Sequence, residues 1–264
     1  MIKILAVGDV FGTPGSEFIR RRLRAVKQRE GADLVIVNGE NASAGNGIGA
    51  ADAQLIFDSG ADVITGGNHS LRKYDIFDYS DETAALLRPL NFPAGAPGHG
   101  WCIVPVKNGL RVLVISAAGQ IFMDPADSPF SCTERVLAAE SGNYDIAVCD
   151  FHAEATSEKK AFFRFFDGRI NIAYGTHTHV ATADETLTDR GCAYITDIGM
   201  CGDEDSVIGV TYESAMERYI TGVRRKGIAA GNNVTLRGAV FTVDETTLFV
   251  TDVKRIKYNE GSFK

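Results

Sequence analysis

Long apolar runs are missing from this chain. No stretch approaches the ~18 residues that a membrane span needs. The apolar start of MIKILAVGDV is short, is interrupted by Asp9 and has no small-residue cleavage site, so neither an anchor nor a secretory leader is expected. Paired cysteines are missing too. The five present, Cys102, Cys132, Cys149, Cys192 and Cys201, are odd in number and form no C-x-x-C. They read as reduced, mostly core residues of a cytoplasmic protein, with Cys201 in GMCGDED expected nearest the surface. Excess positive charge is also missing. Against 34 Asp and Glu stand 27 Lys and Arg, a net charge of −7, so the surface should repel long nucleic acid and acidic membranes. A nucleotide-sized ligand stays possible, because a bound cation reverses the local field. There is no internal repeat, no low-complexity tract and no linker, so residues 1–264 are expected to form a single domain. GNGIG (45–49) lacks the G-x-G-x-x-G spacing of a dinucleotide fingerprint.

What the chain does have is a 45% hydrophobic composition, enough for a large core, cut into short β-branched runs. KILAV (3–7), LVIVN (34–38), DVITG (62–66), RVLVIS (111–116), DIAVCDF (145–151), INIAYG (170–175) and AYITDI (193–198) are near-continuous apolar stretches, as strands buried on both faces require. Helical spacing falls between several of them. SEFIRRRLRAVKQRE (16–30) puts Phe18, Ile19, Leu23 and Val26 on one stripe, with Ser16 as the expected cap after a Pro14-Gly15 turn. AADAQLIFDSG (50–60) and TSEKKAFFRFFDG (156–168) read alike, each ending at a glycine. Residues 239–258 alternate as a hairpin about Asp244–Thr247. The β-α-β-α-β start predicts a parallel sheet, and the hairpin makes the whole a mixed α/β sandwich rather than a doubly wound sheet. ERYITGVRRKG (217–227) is compatible with a helix or with a loop capping a pocket.

Polar residues follow the strands in a pattern. Asp9 follows the first, Glu40 and Asn41 the second, Asn68 and His69 the third; His152 follows DIAVCDF, and His177 and His179 follow INIAYG. In open α/β sheets ligands bind beyond the carboxyl ends of strands, where these residues would converge. Taken singly, each is most simply a turn, core or surface residue. Together they are three imidazoles, two carboxylates and two carboxamides, with His69 beside them. Imidazole with carboxylate and no thiolate suits Zn, Mn, Fe, Ni or Co. Seven donors are too many for one tetrahedral ion and suit two ions about 3.5–4 Å apart, the arrangement used for phosphoester hydrolysis, with Glu40 as the bridge. His-Thr-His in extended backbone would send both rings to one face. His99, in PGHGW, reads as a loop residue away from this cluster.

GDVFGTPG, NGENASAGNGI, GGNH, DFHAEATSEKKA, FDGRINIAYGTHTHVATADE and AYITDIGMCGDEDSVIG together resemble the YmdB-like family of bacterial metallophosphoesterases, over most of residues 1–213. The resemblance implies a calcineurin-like αββα sandwich of two mixed β-sheets flanked by helices, and homo-oligomeric assembly. It implies a phosphodiesterase acting on 2′,3′- or 3′,5′-cyclic nucleotides. One ion would be held by Asp9, Glu40, Asn41 and His179, the other by Glu40, Asn68, His152 and His177. The ions would be transition metals, iron foremost and manganese next. A metal-bridging hydroxide would attack phosphorus, and His69 would protonate the leaving oxygen. Ser70-Leu71-Arg72-Lys73 and Ala117-Ala118-Gly119-Gln120 depart from the family pattern. Those departures support one alternative, a non-catalytic sensor of nucleotide or phosphate at the same site; a nuclease or phosphomonoesterase on the same centre is the other.

Overall fold

The computed structural model describes residues 1–223 and 226–263. The first half runs β1 (Ile2–Val7), β2 (Asp9–Val10), α1 (Gly12–Glu30), β3 (Leu34–Asn38), α2 (Ala50–Asp58), β4 (Val63–Thr65), α3 (Ile76–Glu82), β5 (Trp101–Pro105), β6 (Arg111–Ala118) and α4 (Pro129–Ala139). It continues through β7 (Ile146–His152), α5 (Thr156–Phe166), β8 (Ile172–Thr176), β9 (Thr186–Leu187), β10 (Ala193–Ile195), β11 (Met200–Asp203), α6 (Tyr212–Thr221), β12 (Val234–Val243) and β13 (Val250–Asn259).

These strands make two mixed sheets. The first has the order β2-β11-β12-β1-β3-β4, with β13 also on β12; the second has the order β5-β6-β7-β8-β10-β9. β1, β3 and β4 are parallel, as the β-α-β-α-β start predicts, and β12 joins β1 antiparallel. In the second sheet β6, β7, β8 and β10 are parallel, with antiparallel β5 and β9 at the edges.

Alternation explains the uninterrupted apolar runs. Ile2, Ile4 and Ala6 of β1 face the core between the sheets, with Ile146 and Val148 of β7 on its other side. Leu5 and Val7 face outward onto Phe18, Ile19, Leu23 and Val26 of α1. On the far side, Ala147, Cys149 and Phe151 meet Phe162, Phe163 and Phe166 of α5. Each such aliphatic or aromatic side chain contributes about 1.5–3 kcal/mol on full burial. Helices thus cover both outer faces of a two-sheet core, an αββα sandwich. Among the described residues no helix is long and apolar enough to cross a membrane.

Three local expectations change. α1 begins at Gly12, not after Ser16; Ser16 lies inside the helix, and its hydroxyl donates to the Ala42 carbonyl at 2.9 Å. At Gly15 the helix approaches β11 so closely that a Cβ would overlap the Cys201 carbonyl. Cys201 is fully buried rather than near the surface, and burial pushes its thiol well up. Of ERYITGVRRKG, residues 217–221 end α6 and residues 222, 223, 226 and 227 are loop; the remaining two lie outside the described residues.

Candidate metal centre and active site

The parallel strands of both sheets end at one edge of the sandwich. Asp9 stands after β1, Glu40 and Asn41 after β3, Asn68 and His69 after β4. His152 closes β7, and His177 and His179 follow β8. His99 is elsewhere, its Nε2 bonded to the Asp81 carbonyl at 3.2 Å.

The seven proposed ligands converge. His152 Nε2 lies 3.0 Å from His177 Nδ1, 3.2 Å from Asn68 Oδ1 and 3.3 Å from Glu40 Oε2. Glu40, His152 and His177 each offer one donor atom within 4.8 Å of the others. On the other side, Asn41 Nδ2 is 2.6 Å from Glu40 Oε1 and 3.5 Å from His179 Nε2. Asp9 Oδ1 is 3.8 Å from both His179 Nε2 and His152 Nδ1. The two oxygens of Glu40 therefore face the two halves of the cluster. His69 lies at the same place, with ring Nδ1 2.8 Å from Asn41 Oδ1 and its backbone N–H donating to Glu40 Oε2 at 2.9 Å. Gly67 is obligatory here, because a Cβ would overlap Glu40 Oε2 and the His152 ring.

Where the extended reading of His-Thr-His predicts two rings on one strand face, the backbone does something else. β8 stops at Thr176, and His177 and His179 adopt φ of 100° and 64°. Non-glycine residues in that region carry strain of about 1–3 kcal/mol each and persist only where their surroundings hold them. Three contacts do so. His177 N–H donates to Asp9 Oδ2 at 3.1 Å, and Thr178 donates to Asp197 Oδ2 through its N–H at 3.1 Å and its hydroxyl at 2.8 Å. Lys159, from α5 and fully buried, donates to the same Asp197 oxygen at 2.9 Å and to the Thr176 carbonyl at 2.8 Å.

The electrostatics ask for a cation. Burial, then the neighbouring charges of Glu40 and Asp197, push the Asp9 carboxyl well above the usual range. Its Oδ1 is buried without a hydrogen-bond partner. Burial alone would also raise Glu40, but the His152 and His69 imidazoles outweigh it and hold that carboxyl low. Burial lowers His152 to about 3, against the pull of Glu40, and lowers His177 as well. Neutral imidazole is the form that ligates metal. The proton positions agree. His179 Nδ1 faces the Ile208 carbonyl at 2.8 Å and must donate to it; His177 Nε2 faces the Glu154 carboxylate at 3.1 Å. With those outward nitrogens protonated, His179 Nε2 and His177 Nδ1 present lone pairs inward, beside an orphaned carboxylate oxygen. Inward lone pairs and buried carboxylate oxygens repel one another unless a cation lies among them.

A cleft of about 590 Å³ opens above the cluster. Glu40, Asn41, His69, His177 and His179 form its floor; Phe11, Glu154, Ile208, Arg218, Tyr219 and Lys226 stand around it. The two departures from the family pattern do not line it. Gln120 turns its amide to the Ala126 carbonyl, and Lys73 donates to the Ala44 carbonyl. Sequence reading missed Lys159, Asp197, Arg218 and Lys226. Lys159 carried a signal: it occupies the same stripe as Phe162, Phe163 and Phe166, where a lysine needs a buried partner. For Arg218 and Lys226 the signal was coarser: ERYITGVRRKG was compatible with a pocket cap, and these two residues of it line the cleft.

The model of the family described as YmdB-like protein matches residues 5–256. A 2′,3′-cyclic-nucleotide 2′-phosphodiesterase of Bacillus subtilis (strain 168) is 39% identical over 98% of this chain and 98% of its own. A crystal structure of a hypothetical protein from Thermus thermophilus superposes with a TM-score of 0.91 at 35% identity, covering 98% of this chain and 100% of that one. The calcineurin-like phosphoesterase YfkN from Bacillus subtilis shares the fold, with a TM-score of 0.55 at 11% identity over 98% of this chain and 90% of its own.

Proposed function

The chain belongs to the YmdB-like family, and on that basis we propose that it is a metal-dependent phosphodiesterase acting on cyclic nucleotides, the 2′,3′-cyclic forms first and the 3′,5′-cyclic forms second. The observation that carries the reading is the inward lone pairs of His177 and His179 beside the partnerless Asp9 Oδ1, under an open cleft. Asp9, Glu40, Asn41 and His179 would hold one ion, and Glu40, Asn68, His152 and His177 would hold the other, iron first and manganese second. Bound there, the ions supply Lewis-acid neutralisation of the phosphodiester and lower the pKa of the attacking water.

The remaining work falls to side chains. His69 has Nδ1 against Asn41 Oδ1 and 3.2 Å from Glu40 Oε1. With the Nδ1 hydrogen given to those oxygens, delivery of a proton to the leaving oxygen calls for the doubly protonated ring, whose second hydrogen is on Nε2. Arg218 and Lys226 place two cations on the cleft wall, suited to orienting an anionic substrate in an otherwise acidic molecule. The same reading includes a single domain, a cytoplasmic location and a homo-oligomer, the last checked by light scattering. The sensor alternative rested on residues 70–73 and 117–120, and neither segment lines the cleft.

The test pairs metal analysis of purified protein with hydrolysis of bis-p-nitrophenyl phosphate and of a cyclic-nucleotide panel, with and without added Mn²⁺. About two equivalents of metal and metal-dependent turnover are expected. Two equivalents with nucleotide binding but no turnover on any substrate would establish the sensor instead. Failure to retain or rebind metal would overturn the site assignment.

A further inference from the structure

Beneath the cluster, away from the cleft, lies a carboxylate with no part in the roles above. Asp150 of β7 is fully buried two residues before His152, so both side chains face the core between the sheets. Among the described residues no cation pairs with it. Its oxygens are held by three neutral donors: Oδ1 by the Thr176 hydroxyl at 2.7 Å, and Oδ2 by the Thr65 hydroxyl at 2.5 Å and Asn38 Nδ2 at 3.0 Å. These donors close β8, β4 and β3, each just ahead of a proposed ligand: His177, Asn68 and Glu40. Asn38 also accepts the Glu40 N–H at 3.2 Å.

The Thr176 hydroxyl is the decisive group. It has one hydrogen and two lone pairs. Its hydrogen is committed to Asp150, so towards His152 Nδ1, 2.9 Å away, it can only accept. His152 must then carry its hydrogen on Nδ1 and present a bare Nε2 to Glu40, Asn68 and His177. We infer that Asp150, acting through the Thr176 hydroxyl, is a positioning residue that sets the tautomer and ring orientation of His152 for metal ligation. The chain Asp150–Thr176–His152 is a carboxylate–histidine–metal arrangement lengthened by one hydroxyl; partners of this kind are worth about 10–100-fold in metal affinity. The other two ligand histidines use a carbonyl and a half-exposed glutamate for the same purpose. Only His152 is held from inside the core.

The inference rests on the metal-centre reading, and its test separates the two. In metal-free protein labelled with ¹⁵N-histidine, long-range ¹⁵N–¹H correlation is expected to show His152 protonated on Nδ1 and bare on Nε2. Protonation on Nε2 would overturn the inference, whether or not the protein binds metal. This measurement uses the unaltered chain and survives any folding failure of a variant. Titration with Mn²⁺ alone is the second arm. Thr176→Val is expected to weaken binding about 10–100-fold and to melt lower without metal, because Asp150 Oδ1 loses its donor, and Thr176→Ser is expected to return binding to within about threefold. Thr176→Val binding Mn²⁺ as the parent does would overturn the positioning role. If the parent protein binds no Mn²⁺, the metal-centre reading fails while the tautomer result still decides the Asp150–Thr176 relay.

Discussion

At the scale of single residues, Asp9 and His69 separate holding metal from using it. Asp9 is buried with one oxygen unpartnered and three like charges nearby, those of Glu40, Asp197 and Asp150. Asp9→Asn removes a charge that only a cation compensates. The variant is expected to lose metal content and yet to melt higher than the parent when both are metal-free. An uncompensated buried group of this kind costs about 1–3 kcal/mol, which is several degrees for a chain of this size. Differential scanning calorimetry with and without chelator checks both signs, and a metal-free variant that melts lower would contradict the electrostatic account. His69→Ala should keep its metal and lose about 10²–10⁴-fold in turnover, the usual contribution of a positioned proton donor. Full turnover at full occupancy would remove His69 from the reaction. Residue types were legible before folding: imidazoles, carboxylates and carboxamides after apolar runs. Burial was not. Cys201 sits in a polar-looking string, GMCGDED, and is buried because α1 closes over β11 there.

At the scale of elements, the loop after β8 carries two proposed ligands in strained backbone and is anchored by a lysine from α5. Lys159 and Asp197, both buried, form one unit with the partly exposed Thr178. Lys159→Met fills the space but strands the Asp197 charge. Breaking a buried pair from one side costs about 3–5 kcal/mol. Urea denaturation of the metal-free protein should show that loss, and metal analysis should show both half-sites impaired, because His177 and His179 leave together. A variant with native stability and two bound ions would show that the loop holds its own shape. The strands β1, β3, β4, β6, β7, β8 and β10, the C-terminal hairpin and most of α1 were readable because their periodicity is local, whereas β2, β5, β9 and β11 had no such run. α1 starts early because Gly12, at φ 60°, donates to the Asn41 carbonyl, a contact from the loop after β3 that no local pattern contains. α6 was ambiguous because its large apolar residues are not packed in a core: Tyr219, on the cleft wall, and Ile220 are exposed.

At the scale of the whole molecule, the two ends of the chain are bound together in the first layer. Glu30, at the end of α1, accepts from Lys254 Nζ at 2.8 Å and from the Tyr258 hydroxyl, both on β13. Burial would raise the Glu30 carboxyl, but its bonds to Lys254 and Tyr258 outweigh it and hold it below the ordinary value. A carboxyl depressed in the folded state stabilises above its unfolded pKa of about 4.3 and loses that contribution as pH falls through the folded value. Glu30→Gln should therefore be less stable than the parent by about 2 kcal/mol at neutral pH. The gap should close on acidification below about pH 4, as followed by denaturation at a series of pH values. A gap constant with pH would mean that packing, not charge, joins these ends.

The same scale divides what could be read from what had to be built. Ligand chemistry, strand-end placement, the parallel start and the closing hairpin are carried by short stretches of sequence, since side-chain type and periodicity act between near neighbours. The meeting of Asp9 with His179, the burial of Asp150 under His152, the left-handed backbone of His177 and His179 and the cations over the cleft join residues far apart in the chain. Packing two twisted sheets face to face brings those groups together. Only there do desolvation and close approach give each carboxylate and imidazole its proton state, and so its chemistry.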